Sequence, residues 1–364
     1  MARKVFIAAT SQNSGKTTTS LSLMYMARKK YERVGFIKPL GPKPDVCRGV
    51  VADKDAILMA EVFGLQKDLP LMSPVVLEAG QTQQVLDGIL SGETMQRQML
   101  DALAELDRKN DFLIIEGAGH TGVGSVIGFS NARIAALAEA PVLMITGGGV
   151  GNVVDSVYMN LALFKQEGVD VRAILANKLI AEKREKTLRY LGKAFQSESF
   201  RVLGGFNYQP ILANPTLRRI SRVLDLELHG DATAAGRIVH HVQIGAAATQ
   251  RVAELLRENS LVIVTSSRDE LLVTLANIYQ FEEYRSKLVG LVIPGTAPIS
   301  AITQKILDQS GIPYMRTSQT TVDVFVRISE DVSKLNAQDK EKIDLITTLA
   351  DKRLDFGVLD ELYR

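Results

Sequence analysis

The chain has 364 residues, which is too long for one typical hydrophobic core and predicts two domains. Its 46% apolar and 23% charged residues are those of an ordinary globular protein, and the net charge of +2 argues against nucleic acid or an acidic membrane as a partner. The sequence has a single cysteine, Cys47, and no secretory leader is predicted. No apolar run approaches the roughly 20 residues of a membrane span, so we predict a cytoplasmic protein without membrane contact.

The first predicted elements form the most informative segment. Strand Val5–Ala9 is followed by a small, polar loop and then by Gly15-Lys16-Thr17, which opens a helix predicted over 17–30. Strand, loop, Gly-Lys-Thr and helix in this order are the context of a phosphate-binding P-loop. Loop amides and the free N–H groups of the first helical turn would point at one spot, where the helix dipole favours negative charge. An ordinary strand-turn-helix is the alternative.

We predict that this segment binds a nucleotide through its phosphates. Lys16 would reach the terminal phosphates, and the Thr17 hydroxyl would lie on a Mg²⁺ ion. Thr10 stands where the usual motif has its first glycine. The predicted nucleotide-binding residues of the segment are Thr10, Gln12, Asn13, Ser14, Gly15, Lys16, Thr17 and Thr18.

Apolar strand runs alternate with helical periodicity as far as about residue 210, which predicts an α/β domain with a mostly parallel sheet. The further predicted strands are Val34–Lys38, Phe112–Glu116, Val142–Thr146, Val171–Asn177 and Val202–Phe206. Helices are predicted over 52–63, 94–109, 130–139, 153–167 and 181–196. Most of these strands end in polar residues or glycine, at the sheet edge where ligands bind in open α/β folds.

Charged residues near these strand ends are candidates for catalysis and metal binding. Glu116 ends a buried strand, where a carboxylate is costly unless it meets a cation, so we predict a Mg²⁺ ligand; a turn cap is the alternative. Lys38 ends the second strand beside Pro39 and would neutralise a transferring phosphoryl group together with Lys16, unless it faces solvent. Asp53 and Asp55 precede a helix, and either could hold the metal or only complement the helix dipole.

Asn177 ends the strand Val171–Asn177 and is the last candidate of the nucleotide site. Its amide presents both a donor and an acceptor, which could read the edge of an adenine base. Asparagine is also a common turn residue, and a turn is the alternative. The predicted set is therefore Lys16 and Lys38 for catalysis, Thr17, Asp55 and Glu116 for metal, and Asn177 with the loop for nucleotide.

After an interruption at Gln209–Pro215, a smaller α/β unit is predicted. Its strands are Leu261–Val264, Leu288–Ile293 and Pro313–Thr317, and its helices cover 246–257, 269–281 and 300–310. From Asn336 the sequence predicts one charged helix and a tail with apolar residues, which would dock on a neighbouring domain or subunit. The predicted division is 1–215, 216–335 and 336–364.

These residues together resemble the dethiobiotin synthetase family of P-loop ATPases, which is related to the cobyrinic acid diamide synthases. That family also begins its loop with threonine. This sequence matches the family's Gly-Lys-Thr and Lys-Pro motifs, its metal-binding acids, its Glu-Gly-Ala-Gly turn and the asparagine that reads adenine. The matching positions are Thr10, Gly15-Lys16-Thr17, Lys38-Pro39, Asp55, Glu116-Gly117-Ala118-Gly119 and Asn177. The resemblance covers roughly residues 1–215 and implies binding of ATP and Mg²⁺.

The reaction is less clear from this resemblance. Asn13 replaces an acid usual in the synthetases, and Pro39–Cys47 departs from their substrate loop. Residues 119–125 and 130–133 resemble the N-terminal segment of long bacterial phosphotransacetylases instead, and the second unit is similar to the DRTGG domain that follows there. Because the chain ends at Arg364, before the acetyl-transferring domain of those proteins, we expect no phosphotransacetylase activity.

Two functions follow from these predictions, and a scaffold that has lost nucleotide binding is a third possibility. The first is an ATP- and Mg²⁺-binding regulatory protein whose P-loop domain is coupled to a DRTGG-like sensor, with weak or substrate-dependent ATPase activity. The second is an ATP-dependent ligase that activates a carboxylate or carbamate metabolite by phosphorylation. The relatives and the glycine-dense segments 117–128 and 147–151 also predict a homodimer.

Overall fold

The computed structural model describes Ala2–Asp331 and Leu335–Tyr363. The chain divides into two compact units, one formed by Met1–Gln209 together with Lys340–Arg364 and the other by Pro210–Asp339. The first unit is therefore built from two separate stretches of the chain. The boundaries predicted from the sequence, at 215 and 335, remain predictions.

Strands and helices alternate along most of the chain. The strands are β1 (Arg3–Ala9), β2 (Val34–Ile37), β3 (Leu40–Gly41), β4 (Pro44–Cys47), β5 (Val50–Asp53), β6 (Val75–Val76), β7 (Phe112–Glu116), β8 (Val142–Thr146), β9 (Val171–Ala176), β10 (Arg201–Gly204), β11 (His241–Ile244), β12 (Ser260–Ile263), β13 (Leu288–Ile293) and β14 (Tyr314–Arg316). The helices are α1 (Lys16–Ala27), α2 (Lys54–Phe63), α3 (Leu69–Met72), α4 (Gln81–Leu86), α5 (Gly92–Lys109), α6 (Asn131–Leu137), α7 (Gly151–Gln166), α8 (Arg184–Ala194), α9 (Pro210–Ala213), α10 (Leu217–Leu224), α11 (Thr249–Glu254), α12 (Asp269–Ile278), α13 (Glu282–Lys287), α14 (Ala301–Ser310), α15 (Thr321–Glu330), α16 (Lys340–Arg353) and α17 (Phe356–Leu362). Over the described residues, none of these helices is long and apolar enough to cross a membrane.

The first unit contains a six-stranded sheet in the order β10-β9-β8-β1-β7-β2, and all neighbouring strands are parallel. Every residue of β2, β7 and β8 is buried, which requires helices on both faces of the sheet. Strand β1 lies between β7 and β8, where the strand order reverses, and ligands of open α/β sheets bind at such a point. The register pairs Ile7 of β1 with Glu116 of β7, so the carboxyl ends of these strands lie side by side. This P-loop-like α/β architecture confirms the predicted fold class.

An antiparallel hairpin of β4 and β5 lies between β3 and α2, where the sequence predicted no strand. Proline and aspartate, which occur at Pro44 and Asp45, are depleted in strands, and most of β4 is exposed, so the segment shows no apolar run. Its last residue, Asp53, is the N-cap of α2. The hairpin thus leads directly into the first turn of α2, which carries Asp55.

The C-terminal stretch forms two helices, whereas one charged helix and a tail were predicted. Asp355 separates α16 from α17 and caps α17 by accepting a hydrogen bond from the Val358 amide. The Phe356 ring lies 5.9 Å from the ring of Phe112, at the start of β7. The stretch packs on the sheet of the first unit, so the second unit is inserted between the two stretches of chain that form the first.

A buried carboxylate attaches α17 to the beginning of the chain. The Asp360 side chain is 1% exposed and pairs with Arg3 of β1 and with Lys30, whose Nζ lies 2.6 Å from Oδ2. The Tyr31 hydroxyl donates to Asp360 Oδ1 at 2.6 Å. Three donors therefore compensate for the burial of one negative charge.

This carboxylate is expected to give the free energy of unfolding a pH dependence. Burial alone would raise the pKa of Asp360, but hydrogen bonds from Arg3, Lys30 and Tyr31 lower it from 3.8 to about 2. A carboxyl whose pKa is depressed by folding stabilises the protein above its unfolded-state pKa and loses this contribution as the pH falls through the folded-state pKa. We expect protonation of Asp360 to lower the free energy of unfolding of the wild type by about 2 kcal/mol between pH ~4 and ~2.

The variant Asp360→Asn tests this expectation, because it cannot ionise. Its free energy of unfolding in urea should lie below that of the wild type at pH 7, and the difference should shrink as the pH is lowered to about 2. An equal difference at both pH values would mean that the Asp360 charge contributes nothing.

The second unit is built on a four-stranded parallel sheet in the order β11-β12-β13-β14. Val262 of β12 faces a core with α12 and α14, and the next residue, Ile263, faces a core with α10 and α15. The two cores lie on opposite faces of the sheet, so this unit has three layers. Strand β11 was missed because its residues are only partly buried, so it lacks the apolar run of the inner strands.

Candidate functional site

The loop between β1 and α1 contains a backbone conformation that favours glycine. Gly15 has φ +102° and is the N-cap of α1. Asn13 also has a positive φ, of 58°, which asparagine tolerates better than most residues. Within the loop, the Ser14 hydroxyl donates to the Ser11 carbonyl oxygen at 3.0 Å. These contacts hold the loop in a tight turn in front of α1.

The first turn of α1 is open to an anion. Among the described residues no side chain caps this turn, and it contains no acidic residue. By contrast, Asp53 caps α2 and Ser91 caps α5 with side-chain oxygens. Uncapped amides at a helix N-terminus, together with the helix dipole, form a binding site for phosphate oxygens.

Lys16, the first residue of α1, contacts the loop that follows β7. Its Nζ donates to the Gly119 carbonyl oxygen at 2.6 Å. Gly119 has φ +54°, and an added Cβ would lie 2.7 Å from Val123. Glycine at this position therefore allows the β7 loop to approach the P-loop lysine.

Two asparagines hold the β7 loop in place. Asn131 of α6 is fully buried; its Nδ2 donates to the carbonyl oxygens of Ala118 and His120 at 2.5 and 2.6 Å, and its Oδ1 accepts from the Ala118 amide at 3.0 Å. Asn160 of α7 accepts from the Thr121 amide at 3.2 Å and donates to the Thr10 carbonyl at 3.3 Å. The second asparagine thus connects the β7 loop to the P-loop.

A cluster of charged side chains lies at the carboxyl ends of β2 and β7. Lys38 Nζ is 2.8 Å from Asp55 Oδ2 and 2.7 Å from Glu116 Oε1. The Thr17 hydroxyl donates to Asp55 Oδ1 at 3.1 Å and lies 3.4 Å from Glu116 Oε1. Ser20, three residues further along α1, donates to Glu116 Oε2 at 2.5 Å. The side chains of Lys38, Asp55 and Glu116 are at most 8% exposed.

Electrostatics keep Lys38 charged in this cluster. Burial alone would lower the pKa of the Lys38 ammonium, but Asp55, Glu116 and Asp53 outweigh it and hold that pKa above its ordinary value. An ammonium that stays protonated is suited to neutralise anionic oxygens and unsuited to act as a base.

The two aspartates at the start of α2 have different surroundings. Asp53 caps α2: its carboxylate accepts from the amides of Asp55 and Lys43 at 2.9 and 3.1 Å. An added Cβ on Gly41 would lie 2.5 Å from Asp53, so glycine leaves room for the cap. Asp55 instead faces Thr17 and Lys38. Of the two candidates, Asp55 is therefore the one in contact with the P-loop helix.

Asn177 lies against the P-loop. Its Nδ2 donates to the Ser14 carbonyl oxygen at 2.9 Å, and its Oδ1 accepts from the Phe206 amide at 2.9 Å. An added Cβ on Gly15 would overlap Nδ2. The amide keeps one donor and one acceptor beyond these contacts.

The oxygens of Thr17, Asp55 and Glu116 fit a magnesium ion. Within the described residues no group of three or more histidine, cysteine, aspartate or glutamate side chains could hold a metal. A phosphate-bound Mg²⁺ requires fewer protein ligands, since it takes one or two carboxylates and keeps waters and substrate oxygens. One hydroxyl and two carboxylates that meet at the P-loop are such a set.

The predicted site residues are largely brought together at the carboxyl edge of the sheet. Lys38, Thr17, Asp55 and Glu116 form one connected set of contacts, and the Lys16 side chain contacts the loop that follows Glu116, at Gly119. Thr10 is nearly buried and donates to the Thr146 hydroxyl at 3.3 Å, whereas the side chains of Gln12 and Asn13 are exposed. Thr18 lies in the first turn of α1.

Three residues of the site were not predicted: Ser20, Asn131 and Asn160. Ser20 lies three residues after Thr17, on the same face of α1, and this spacing could have identified it. Asn131 and Asn160 lie on helices that follow other strands, and the sequence carries no local signal that joins them to the P-loop.

Comparison with known proteins agrees with this architecture. A family model described as "AAA domain" (AAA_26) matches residues 3–216, and one described as "DRTGG domain" matches residues 219–330. The phosphate acetyltransferase of Synechocystis sp. is 24% identical over 370 residues, which are 98% of this chain and 51% of that protein. The chain thus spans about half the length of the curated relatives it matches.

Two further relatives match parts of the chain. The ATP-dependent dethiobiotin synthetase BioD of Methanocaldococcus jannaschii is 22% identical over 177 residues, 48% of this chain and 78% of that protein. A solved structure of the CBS and DRTGG domains of the Clostridium perfringens pyrophosphatase regulatory region, with diadenosine tetraphosphate, is 16% identical, covers 33% of this chain and 47% of that one, and has a TM-score of 0.26.

These matches confirm the resemblance seen in the sequence, both to the dethiobiotin synthetases and to the N-terminal part of phosphotransacetylases. The P-loop fold of the first unit supports nucleotide binding. The chain belongs to the AAA domain family AAA_26, with a DRTGG domain after its P-loop domain.

Proposed function

We propose that the first unit binds ATP with Mg²⁺ and that the protein is a metabolic regulator in which the DRTGG domain responds to the nucleotide state. The observation that carries this proposal is the convergence of the uncapped start of α1, Lys16, and the oxygens of Thr17, Asp55 and Glu116 at one edge of the sheet. Each of these groups is suited to one part of a metal-bound triphosphate.

The groups of the site would contact different parts of the bound nucleotide and metal according to their charge. The amides of α1 and the Lys16 ammonium would bind phosphate oxygens. Bound Mg²⁺ would neutralise phosphate charge, and Thr17, Asp55 and Glu116 would hold it. Lys38, which stays protonated next to this set, would neutralise charge on a transferring phosphoryl group, as positioning and charge neutralisation dominate such reactions.

An ATP-dependent ligase is the second candidate. Two observations support it: Lys38 lies beside the carboxylate oxygens proposed to hold the metal, and the chain matches the dethiobiotin synthetase over 48% of its length. Such an enzyme would phosphorylate a small carboxylate or carbamate. The regulator is favoured because Pro44–Cys47, the last part of the stretch that departs from the synthetases, forms the largely exposed first strand of a hairpin.

Turnover distinguishes the two candidates. ADP release is measured by mass spectrometry with Mg·ATP and a panel of small carboxylate metabolites. Strong stimulation by one compound would establish the ligase and overturn the regulator. Slow release that no compound stimulates supports the regulator. We further propose that the protein is a cytoplasmic homodimer, which sedimentation with and without Mg·ATP tests.

Replacement of Lys16 by alanine tests nucleotide binding itself. Mg·ATP at about 100 times its Kd should stabilise the wild type by roughly 2.7 kcal/mol, seen as a rise in melting temperature. Lys16→Ala should fold and lose most of this rise, because the phosphates lose a direct cation. Lys186→Ala, which removes an exposed lysine of α8, is the control and should keep it. An unchanged rise in Lys16→Ala would refute the assignment.

A further inference from the structure

The two carboxylates of the candidate metal site already have a cation between them. Lys38 Nζ contacts Asp55 Oδ2 at 2.8 Å and Glu116 Oε1 at 2.7 Å. The Lys38 side chain is 4% exposed, and those of Asp55 and Glu116 are 8% and 0% exposed. The Thr17 hydroxyl is within 3.4 Å of both carboxylates, so a metal held there would use the same two carboxylates as the ammonium, and Glu116 Oε1 already contacts both Lys38 and Thr17.

The position of Lys38 is fixed by its backbone as well as by its charge. Its amide donates to the Met72 carbonyl oxygen at 2.8 Å, and Pro39, the next residue, restricts the backbone. The side chain starts at the end of β2, next to β7, whose last residue is Glu116. The ammonium is therefore built into the site by the fold.

A free divalent cation meets two obstacles at such a site. It must give up water, and it must approach a buried ammonium of the same sign that already compensates both carboxylates. A nucleotide changes this balance, because its phosphates bring further negative charge that can attract both the metal and Lys38.

We propose that Lys38 is an internal counter-cation that excludes free divalent metal from Asp55 and Glu116 and admits it only together with phosphate. This inference rests on the proposed function for its nucleotide step, whereas its metal step stands without nucleotide. Lys38 would thus couple metal binding to nucleotide binding, in addition to contacting the phosphates.

The test uses the full chain, Mn²⁺ as the probe and no nucleotide. Binding is measured by electron paramagnetic resonance and by calorimetry for the wild type and for Lys38→Met, in which a flexible apolar side chain of similar length replaces the lysine. We expect Lys38→Met to bind Mn²⁺ about 10-fold more tightly than the wild type, or better. The double variant Lys38→Met/Asp55→Asn should lose this gain, because only one carboxylate remains.

Thermal unfolding supplies a second readout. Without metal, Lys38→Met should melt below the wild type, since two buried carboxylates lack their cation. Mn²⁺ should raise its melting temperature and leave that of the wild type unchanged. If Lys38→Met does not fold without metal, refolding with and without Mn²⁺ is compared, and recovery with Mn²⁺ is expected.

Three results would overturn the proposal: equal Mn²⁺ affinity in the wild type and Lys38→Met, a gain that persists in the double variant, or a Lys38→Met protein that Mn²⁺ does not stabilise. Lys29→Met, which removes an exposed lysine that follows α1 and pairs with Asp351, is the control and should behave as the wild type. If nucleotide binding fails in all variants but the Mn²⁺ gain is present, the proposed function falls and the counter-cation role remains.

Discussion

Gly15→Ala is expected to reduce nucleotide affinity by about 10-fold or more, because a left-handed backbone costs an L residue roughly 1–2 kcal/mol and 1.4 kcal/mol corresponds to a tenfold change in affinity. Two effects act together. The residue must keep φ +102°, which L side chains rarely adopt, and its new Cβ would overlap the Asn177 amide nitrogen. The loop must therefore move, and the Ser14 carbonyl loses its hydrogen bond from Asn177. Calorimetric titration with Mg·ATP measures the affinity.

A matched glycine separates the two effects. Gly168, after α7, has φ +69° and open space where a Cβ would be, so Gly168→Ala introduces strain without overlap. It should lower the melting temperature slightly and leave nucleotide affinity unchanged. The double variant Gly15→Ala/Asn177→Ala should recover part of the affinity if the overlap dominates. Wild-type affinity in Gly15→Ala would show that the loop does not bind phosphate as proposed.

Glu116→Gln is expected to lower both the stability and the magnesium-dependent affinity. Glu116 is fully buried and accepts hydrogen bonds from Lys38 at 2.7 Å and Ser20 at 2.5 Å. Glutamine has the same size but removes the charge, and breaking a buried ion pair costs about 3 kcal/mol or more when the partner stays charged. Urea unfolding should show this loss, moderated by Asp55, which still contacts Lys38.

A nucleotide measurement tests the proposed role of Glu116 as a metal ligand. Affinity for ATP in the presence of Mg²⁺ should fall by about 10-fold or more, whereas affinity without Mg²⁺ should change much less. Asp111→Asn, just before the start of the same strand β7, is the control: Asp111 makes an exposed ion pair with Arg33, so both quantities should remain near wild type. An equal loss of affinity with and without Mg²⁺ would argue against Glu116 as a metal ligand.

The sequence predicted the central strands because they are fully buried. Strands such as β7 and β8 are continuous apolar runs, and this local pattern places them within a residue or two. The hairpin of β4 and β5 and the edge strand β11 carry charged, polar or half-exposed residues. A hydrophobicity pattern does not predict such strands, because they form by pairing with a neighbouring segment and are not marked by burial of their side chains.

In the candidate site, too, residues with a local sequence signal could be predicted and the others could not. Gly15-Lys16-Thr17 after a strand is a local signal, and Glu116 and Lys38 could be proposed from their places at strand ends. The sequence could not choose between Asp53 and Asp55, because both lie at the start of α2. Only the structure shows Asp53 capping α2 and Asp55 in contact with Thr17, 38 residues away in sequence.

The sequence by itself determined the P-loop, the six strands of the first unit's main sheet with the longer helices between them, and the presence of a second α/β unit, because each depends on residues close together in the chain. The tertiary structure decided that α16 and α17 return to the first unit, that Asn131 and Asn160 hold the β7 loop, and that Lys38 lies between two carboxylates. These features join residues that are distant along the chain. Their free energy comes from burying charges and amides against specific partners, and the sheet order sets which partners meet.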